Sequence, residues 1–368
     1  VLVPARTTRL GWRSKLALAA ASVALSLALA EIGARIVHRG AFPYLNIFTP
    51  DARYGVRLAP HASARVKSRL GRITEIRTNA LGFRGPEWPE AAPGARERRV
   101  LIVGDSQMLG YGVDWPDATA PMLERLLGPG TRVLAAAVPS WGPFEYQQAI
   151  AELAPRYRPG DVIYVVNAAN DWFETAPHVH RTTARDGWAA AVGGVGGAPP
   201  PAPSALRTLL LGRLHLVYAV RRLAAHVGDG EPPAEVAARR LVAALADRDR
   251  PAAAAGLRSP LGSAVAEAAR TCGRLGCRLT VVVLPLDVQV DAAEWQKYRA
   301  QPEDVSPTLA LTEDLVADAR ALGVAVVDVR PALAAAGPGA FLADDLHLAP
   351  RGHKVVAEAI TDAIARAQ

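Results

Sequence analysis

The sequence predicts a doubly wound α/β domain over residues 99–368, behind a small β-rich region and an N-terminal membrane segment. Two patterns predict it. Apolar runs of strand length, bounded by turn residues, recur after residue 99, and helix-length amphipathic stretches alternate with them. Size agrees, because 368 residues, half of them apolar, can bury one large core or two modest ones.

Residues 1–40 form the N-terminal signal or anchor segment. Arg6, Arg9, Arg13 and Lys15 precede LALAAASVALSLALA at residues 16–30, the charge-then-apolar order of an export signal. The run is short for a full span, and Ala28-Leu29-Ala30 has the small residues of a cleavage site. Beyond it Glu31 and Arg35 stand one helical turn apart, while Ile32, Ile36 and Val37 continue the apolar face. That continuation favours an uncleaved anchor with snorkelling charges, its basic end cytoplasmic and the remainder of the chain outside. Cleavage would instead leave a secreted or periplasmic protein.

Residues 41–98 read as a β-rich lead-in closed by the linker EAAPGARERR, with Ile73, Ile76 and the Asn-Ala-Leu-Gly turn as its signals. Buried parallel strands are expected at RVLIVG, RVLAAAV (132–138), DVIYVVNA (161–168), RLTVVVLP (278–285) and VAVVDV (324–329). Helices are expected over 117–127, 143–156, 306–322 and about 350–366. The alternation breaks between about 172 and 256, where GGVGGAPPPAPS precedes two Ala/Leu/Arg-rich helical stretches. This insertion is expected either to wall the binding crevice or to be a spacer with packed helices.

Composition excludes several classes. The net charge of +7 comes from arginines spread along the chain, with no basic block to track a phosphate backbone, so no nucleic-acid partner is expected. Cys272 and Cys277 could close a small loop or stay as packed thiols, and no companion ligands suggest zinc. His178 and His180 lack Cys or carboxylate companions and read as a solvated loop. The Walker lysine and the dinucleotide glycines are missing, and Met108 breaks Gly-x-Ser-x-Gly. Neither a metal nor an organic cofactor is expected.

The chemistry is carried by strand ends. In VLIVGDSQMLG a buried strand runs into Gly-Asp-Ser, and the residue after a parallel strand's carboxyl end faces the ligand crevice. Ser106 is thus a candidate nucleophile, although a strand-ending serine commonly serves only as a helix cap. A serine needs a base to take its proton and a carboxylate to orient the base. FLADDLHLAPRGHK supplies Asp344 and His347, with Asp345 able to cap. Oxyanion donors are needed too. Asn170 in NAANDWF and backbone N–H groups at Ser140 or Gly142 in AAVPSWG are the candidates, and Trp172 and Phe173 are placed to line an acyl or sugar site.

As a set, Gly104-Asp105-Ser106, the Ser140–Gly142 loop, Asn170-Asp171 and Asp344-Asp345-Leu346-His347 resemble the SGNH/GDSL hydrolases over residues 99–368. TNALGFRG and EIGAR resemble the lead-in of membrane-anchored bacterial members. The resemblance implies a flavodoxin-like three-layer α/β/α domain that cleaves acyl esters without a metal. It implies Ser106 as nucleophile, His347 as base and Asp344 as orienter, with Asp345 dispensable. Asn170 and the N–H groups of Ser106 and of the Ser140–Gly142 loop would then form the oxyanion hole. The chain departs from the family in having Ser140 where a glycine is usual, Gln107-Met108-Leu109 after the serine, and Ala168 before the asparagine.

The expected function is a serine esterase removing an acyl group, acetyl being favoured, from a glycan or another cell-envelope substrate. The alternatives are an O-acyltransferase using the same serine and a non-catalytic envelope binding protein on this scaffold. Oligomeric state is not legible.

Overall fold

The fold is taken from a computed structural model, which describes residues 11–90, 97–173, 182–191, 205–224, 257–259, 261–298 and 302–366. His178, His180 and the second Ala/Leu/Arg-rich stretch lie outside the described residues. The chain begins with a long helix, α1 (Trp12–His38). The lead-in follows as two antiparallel hairpins, β1 (Phe48–Asp51) with β2 (Gly55–Leu58) and β3 (Ser63–Lys67) with β4 (Ile73–Arg77).

The α/β domain contributes β5 (Arg98–Gly104), α2 (Ser106–Leu109), α3 (Thr119–Leu127), β6 (Thr131–Ala137), α4 (Pro143–Tyr157) and β7 (Asp161–Asn167). The insertion holds the hairpin β8 (Thr182–Arg185) and β9 (Trp188–Ala191), then α5 (Ala205–Arg213) and α6 (His215–Ala224). The remainder is α7 (Gly262–Leu275), β10 (Arg278–Leu284), α8 (Asp287–Val290), α9 (Leu309–Ala321), β11 (Ala325–Asp328), α10 (Arg330–Ala336) and α11 (Pro350–Arg366).

Five parallel strands form the central sheet in the order β11-β10-β7-β5-β6. Helices α4, α7 and α9 pack as one layer, and α3, α11 and α10 as the other. Because helices cover both faces, strand residues need no polar alternation, and Val100 through Val103 are fully buried. Each such aliphatic side chain contributes roughly 1.5–3 kcal/mol relative to exposure. β5 is followed in the chain by its neighbour β6 and then by β7 on its other side, so the strand order reverses between β5 and β7. A crevice opens at such a reversal, beyond the strands' carboxyl ends.

The lead-in does not stand apart from this domain. Leu45, Ile47, Val56, Leu58, Phe83 and Trp88 belong to the same buried cluster as the sheet. The Trp141 indole stacks on Tyr54 at 4.7 Å and donates to the Val56 carbonyl at 2.8 Å. Arg84, the arginine of TNALGFRG, is buried and donates to the carbonyls of Leu109, Gly110, Val113 and Glu75 at 2.6–3.0 Å. It therefore holds the turn that leaves α2. Gly85 has φ 115° and faces the Trp115 ring, which a β-carbon would meet at 2.6 Å. Within the insertion, β8 packs on β1 and β2, and α6 packs on α1.

Candidate active site

Gly104 ends β5 against α2, where a β-carbon would lie 2.7 Å from Met108 Cγ, so any larger residue forces Met108 to shift. Asp105 caps α2 by accepting the Gln107 N–H at 2.9 Å and is tied to the end of β7 by the Asn167 amide at 2.8 Å. Asn167 in turn donates its backbone N–H to Asp171 at 2.7 Å. Burial raises the Asp105 carboxyl above the usual range, partly offset by these donors. Ser106, the first residue of α2, is thereby held at the crevice.

Ser106 and His347, 241 residues apart, meet there: His347 Nε2 is 2.9 Å from Ser106 Oγ. The carboxylate beside His347 is that of Asp345, with Oδ2 3.2 Å from Nδ1, an ion-pair distance without the alignment of a good hydrogen bond. Asp344, expected in this place, does not occupy it. Its carboxylate turns outward and accepts the Leu70 N–H of the β3–β4 turn at 2.8 Å, while Asp345 folds inward and also accepts the Leu346 N–H at 2.7 Å. Lys297 sets that turn. Its ammonium donates to the carbonyls of Asp345 (2.8 Å) and Leu342 (3.0 Å) and pairs with the buried Asp287 at 2.7 Å and with Glu294 at 2.8 Å.

The electrostatics follow from this packing. Burial alone would depress the His347 pKa, but Asp345, with Asp105 and Asp287 behind it, more than offsets it, so the imidazole lies above its ordinary range. Asp345 moves the other way. Burial opposes its charge, yet His347, the Leu346 N–H and Lys297 hold it below the usual carboxylate range. The Tyr111 ring lies 5.0 Å from the imidazole and limits its swing. The other histidine of this segment, His353, is buried against Thr119 at 2.8 Å and pushed down to about 3, so it stays neutral and apart.

Gln107 carries a contact that the sequence reading passed over. Its side-chain amide donates to the Leu346 carbonyl at 3.3 Å and accepts the Leu348 N–H at 3.0 Å, bracketing His347 from both sides. No sequence signal marks it, because both partners are backbone groups of a distant segment.

The oxyanion candidates fare differently. Asn170 is half-buried just past β7, the strand beside β5. Ser140 is exposed and left-handed, with φ 73°, the conformation that favours the glycine usual at this place. Gly142 is withdrawn: its N–H donates to Glu145 Oε2 at 3.0 Å in the cap of α4, where burial pushes the Glu145 carboxyl up to about 7. Trp172 is 4% exposed and belongs to the core, so it fills the interior instead of walling an open crevice. The Phe173 side chain lies outside the described residues. Among the described residues no cluster of three His, Cys, Asp or Glu side chains is placed to hold a metal, and Cys272 and Cys277 are buried free thiols.

Residues 245–368, which contain the Asp345–His347 turn, match the family model described as "SGNH hydrolase-like domain, acetyltransferase AlgX". Over that last third of its length the chain is similar to the SGNH hydrolase-like family. No curated protein matches it. Among solved structures it is similar to TesA, at 13% identity and a TM-score of 0.40, over 74% of this chain and 100% of that one. It is likewise similar to a GDSL-like lipase from Bacteroides thetaiotaomicron (14% identity, TM-score 0.40, 76% and 93% covered). A third is a lipase/acylhydrolase from Enterococcus faecalis (13%, 0.38, 73% and 96%).

Proposed function

We propose that the chain is a serine-dependent acyl-ester enzyme whose reacting groups are Ser106, His347 and Asp345. The observation that carries this reading is the 2.9 Å approach of His347 Nε2 to Ser106 Oγ, with a carboxylate on the far side of the imidazole. His347 takes the serine proton as Oγ attacks the ester carbonyl, and Asp345 stabilises the imidazolium. The tetrahedral oxyanion is met by the Ser106 N–H at the start of α2, with Asn170 and the Ser140 N–H as the further donors. Its collapse expels the alcohol, which takes the proton from His347 and leaves an acyl-serine. Water, activated by the same histidine, then releases the acid.

The substrate we infer is an acylated glycan or other cell-envelope ester, acetyl being the favoured group. A second reading, transfer of the acyl group from Ser106 to a sugar hydroxyl, is supported by the acetyltransferase named in the matching family. The two differ only in what attacks the acyl-enzyme. Incubating the full chain with an aryl acetate, with and without a polysaccharide acceptor, separates them. Hydrolysis gives free acetate at a rate indifferent to the acceptor, whereas transfer lowers free acetate and acetylates the acceptor. A Ser106→Ala variant equal to wild type in both readouts rejects the whole reading.

We also read α1 as a retained anchor. It has 27 residues, a mean hydropathy of 1.9 in its most apolar stretch and no buried share in that stretch. Glu31 and Arg35, on its last turns, contact the folded domain.

A further inference from the structure

Away from the serine, the insertion leaves apolar surface uncovered. One side of α5 is used by the fold: Gly212 is buried, the Leu211 carbonyl accepts the Trp188 indole N–H at 3.3 Å, and Arg207 pairs with Asp186 at 2.7 Å. The other side presents Leu206, Leu209 and Leu210, which are 65%, 53% and 42% exposed. Their i, i+3, i+4 spacing puts all three on one face. Single exposed leucines are ordinary on a protein surface, but three on one face of a short helix form a patch.

The position of that patch follows from α1. Crossing the hydrocarbon takes about 20 residues, so a span that enters at Leu16, past the basic Arg13 and Lys15, leaves the apolar layer near Arg35, one turn beyond Glu31. At that level Glu31 accepts the N–H groups of His215 (3.1 Å) and Leu216 (2.8 Å), capping α6, and Arg35 donates to the Arg213 carbonyl at 3.5 Å. The corner between α5 and α6 is therefore fastened to α1 where α1 emerges. With 9 residues, α5 is about 14 Å long, too short to carry its leucines far from that level.

We propose that the leucine face of α5 lies in the interfacial layer of the lipid bilayer, so that α1 and α5 together seat the catalytic domain on the membrane. The proposal rests on α1 being a retained anchor. An interfacial helix needs an apolar face toward lipid and a polar side toward protein or water, and α5 has both. The seat is also joined by contacts to the serine site. His38 stacks on His215 at 6.0 Å and His215 on Phe42 at 4.1 Å; the next residue, Pro43, accepts the Tyr111 hydroxyl at 3.4 Å, and Tyr111 packs on His347. The domain is thus held to the lipid by the end that leads to Ser106.

The test places an environment-sensitive thiol probe on the full chain at Leu209→Cys, with Val23→Cys in α1 and Leu126→Cys in α3 as references, since Cys272 and Cys277 are buried. Each protein is reconstituted into mixed phosphatidylethanolamine and phosphatidylglycerol vesicles carrying an acyl-chain nitroxide quencher. The proposal predicts quenching at position 209 near that at 23 and several-fold above that at 126. Quenching at 23 with position 209 no higher than 126 overturns the seat while keeping the anchor, and a probe at 209 shielded from water but unquenched assigns the patch to protein instead of lipid. An unquenched position 23 overturns the anchor reading itself.

Discussion

Gln107 grips the segment that carries His347 from both sides, with its amide on the Leu346 carbonyl and the Leu348 N–H. The residue following the candidate nucleophile thereby sets the height of the candidate base above it. Both hydrogen bonds are buried, so losing them leaves two backbone groups unsatisfied, at about 1–3 kcal/mol each.

Gln107→Leu therefore lowers kcat by about 10–100-fold with little change in KM, because orientation is lost and substrate contacts are not. Gln107→Glu, which keeps the acceptor for the Leu348 N–H, recovers part of that loss. Steady-state kinetics of the two variants on an aryl acetate checks this, and equal kcat in Gln107→Leu and wild type removes the positioning role.

Asp345→Ala is expected to lower kcat by about 10³–10⁴-fold, the scale on which a histidine-orienting carboxylate acts. Asp344→Ala costs only the surface contact with Leu70 and stays within about threefold of wild type in this view, as exposed contacts usually do. The pair is best read side by side, since the reverse order of losses would reassign the carboxylate.

The pH dependence has a definite sign. His347 must be neutral to accept the serine proton, and its pKa is raised, so kcat/KM rises with pH through a midpoint above about 6.5. Asp345→Asn removes the leading charge that raises it, and the midpoint moves down. For stability, the raised His347 contributes fully below its unfolded pKa and loses that contribution as pH rises through the folded value. The depressed Asp345 contributes above its unfolded pKa and loses that contribution as pH falls through the folded value. A kcat/KM profile unmoved by Asp345→Asn would detach this carboxylate from the base.

Gly104→Ala places a β-carbon against Met108 and is expected to destabilise the fold by about 1–3 kcal/mol. Arg84→Ala exposes a different dependence. It removes the guanidinium donors from four buried or half-buried carbonyls, of which Gly110 alone keeps a backbone donor (the Val113 N–H), and is expected to cost at least about 3 kcal/mol, loosening the turn after α2 although Arg84 lies outside the α/β domain. Urea denaturation of both variants measures these losses, and unchanged midpoints would refute the packing arguments.

The strands were legible because a sheet covered on both faces writes itself as unbroken apolar runs, and β5, β6, β7 and β10 are such runs. The pairing of Ser106 with His347 was legible from strand-end placement. The choice between Asp344 and Asp345 was not, because it depends on which carboxylate the turn presents, and that turn is held by Lys297 and Leu70 from elsewhere in the chain. Gly142 offered a donor on paper, but the N–H is spent on Glu145, a capping interaction that competes with any ligand. Gln107 was invisible for a related reason, since an amide bonded to distant backbone leaves no pattern in the local sequence.

The most direct test of the account is peptide mapping by mass spectrometry after the full chain is treated with a fluorophosphonate, alongside Ser106→Ala, Asp344→Asn and Asp345→Asn. The account predicts one adduct, on Ser106, formed at near wild-type rate in Asp344→Asn and orders of magnitude more slowly in Asp345→Asn. A folded wild-type protein that forms no adduct, or forms it on another serine, would contradict it.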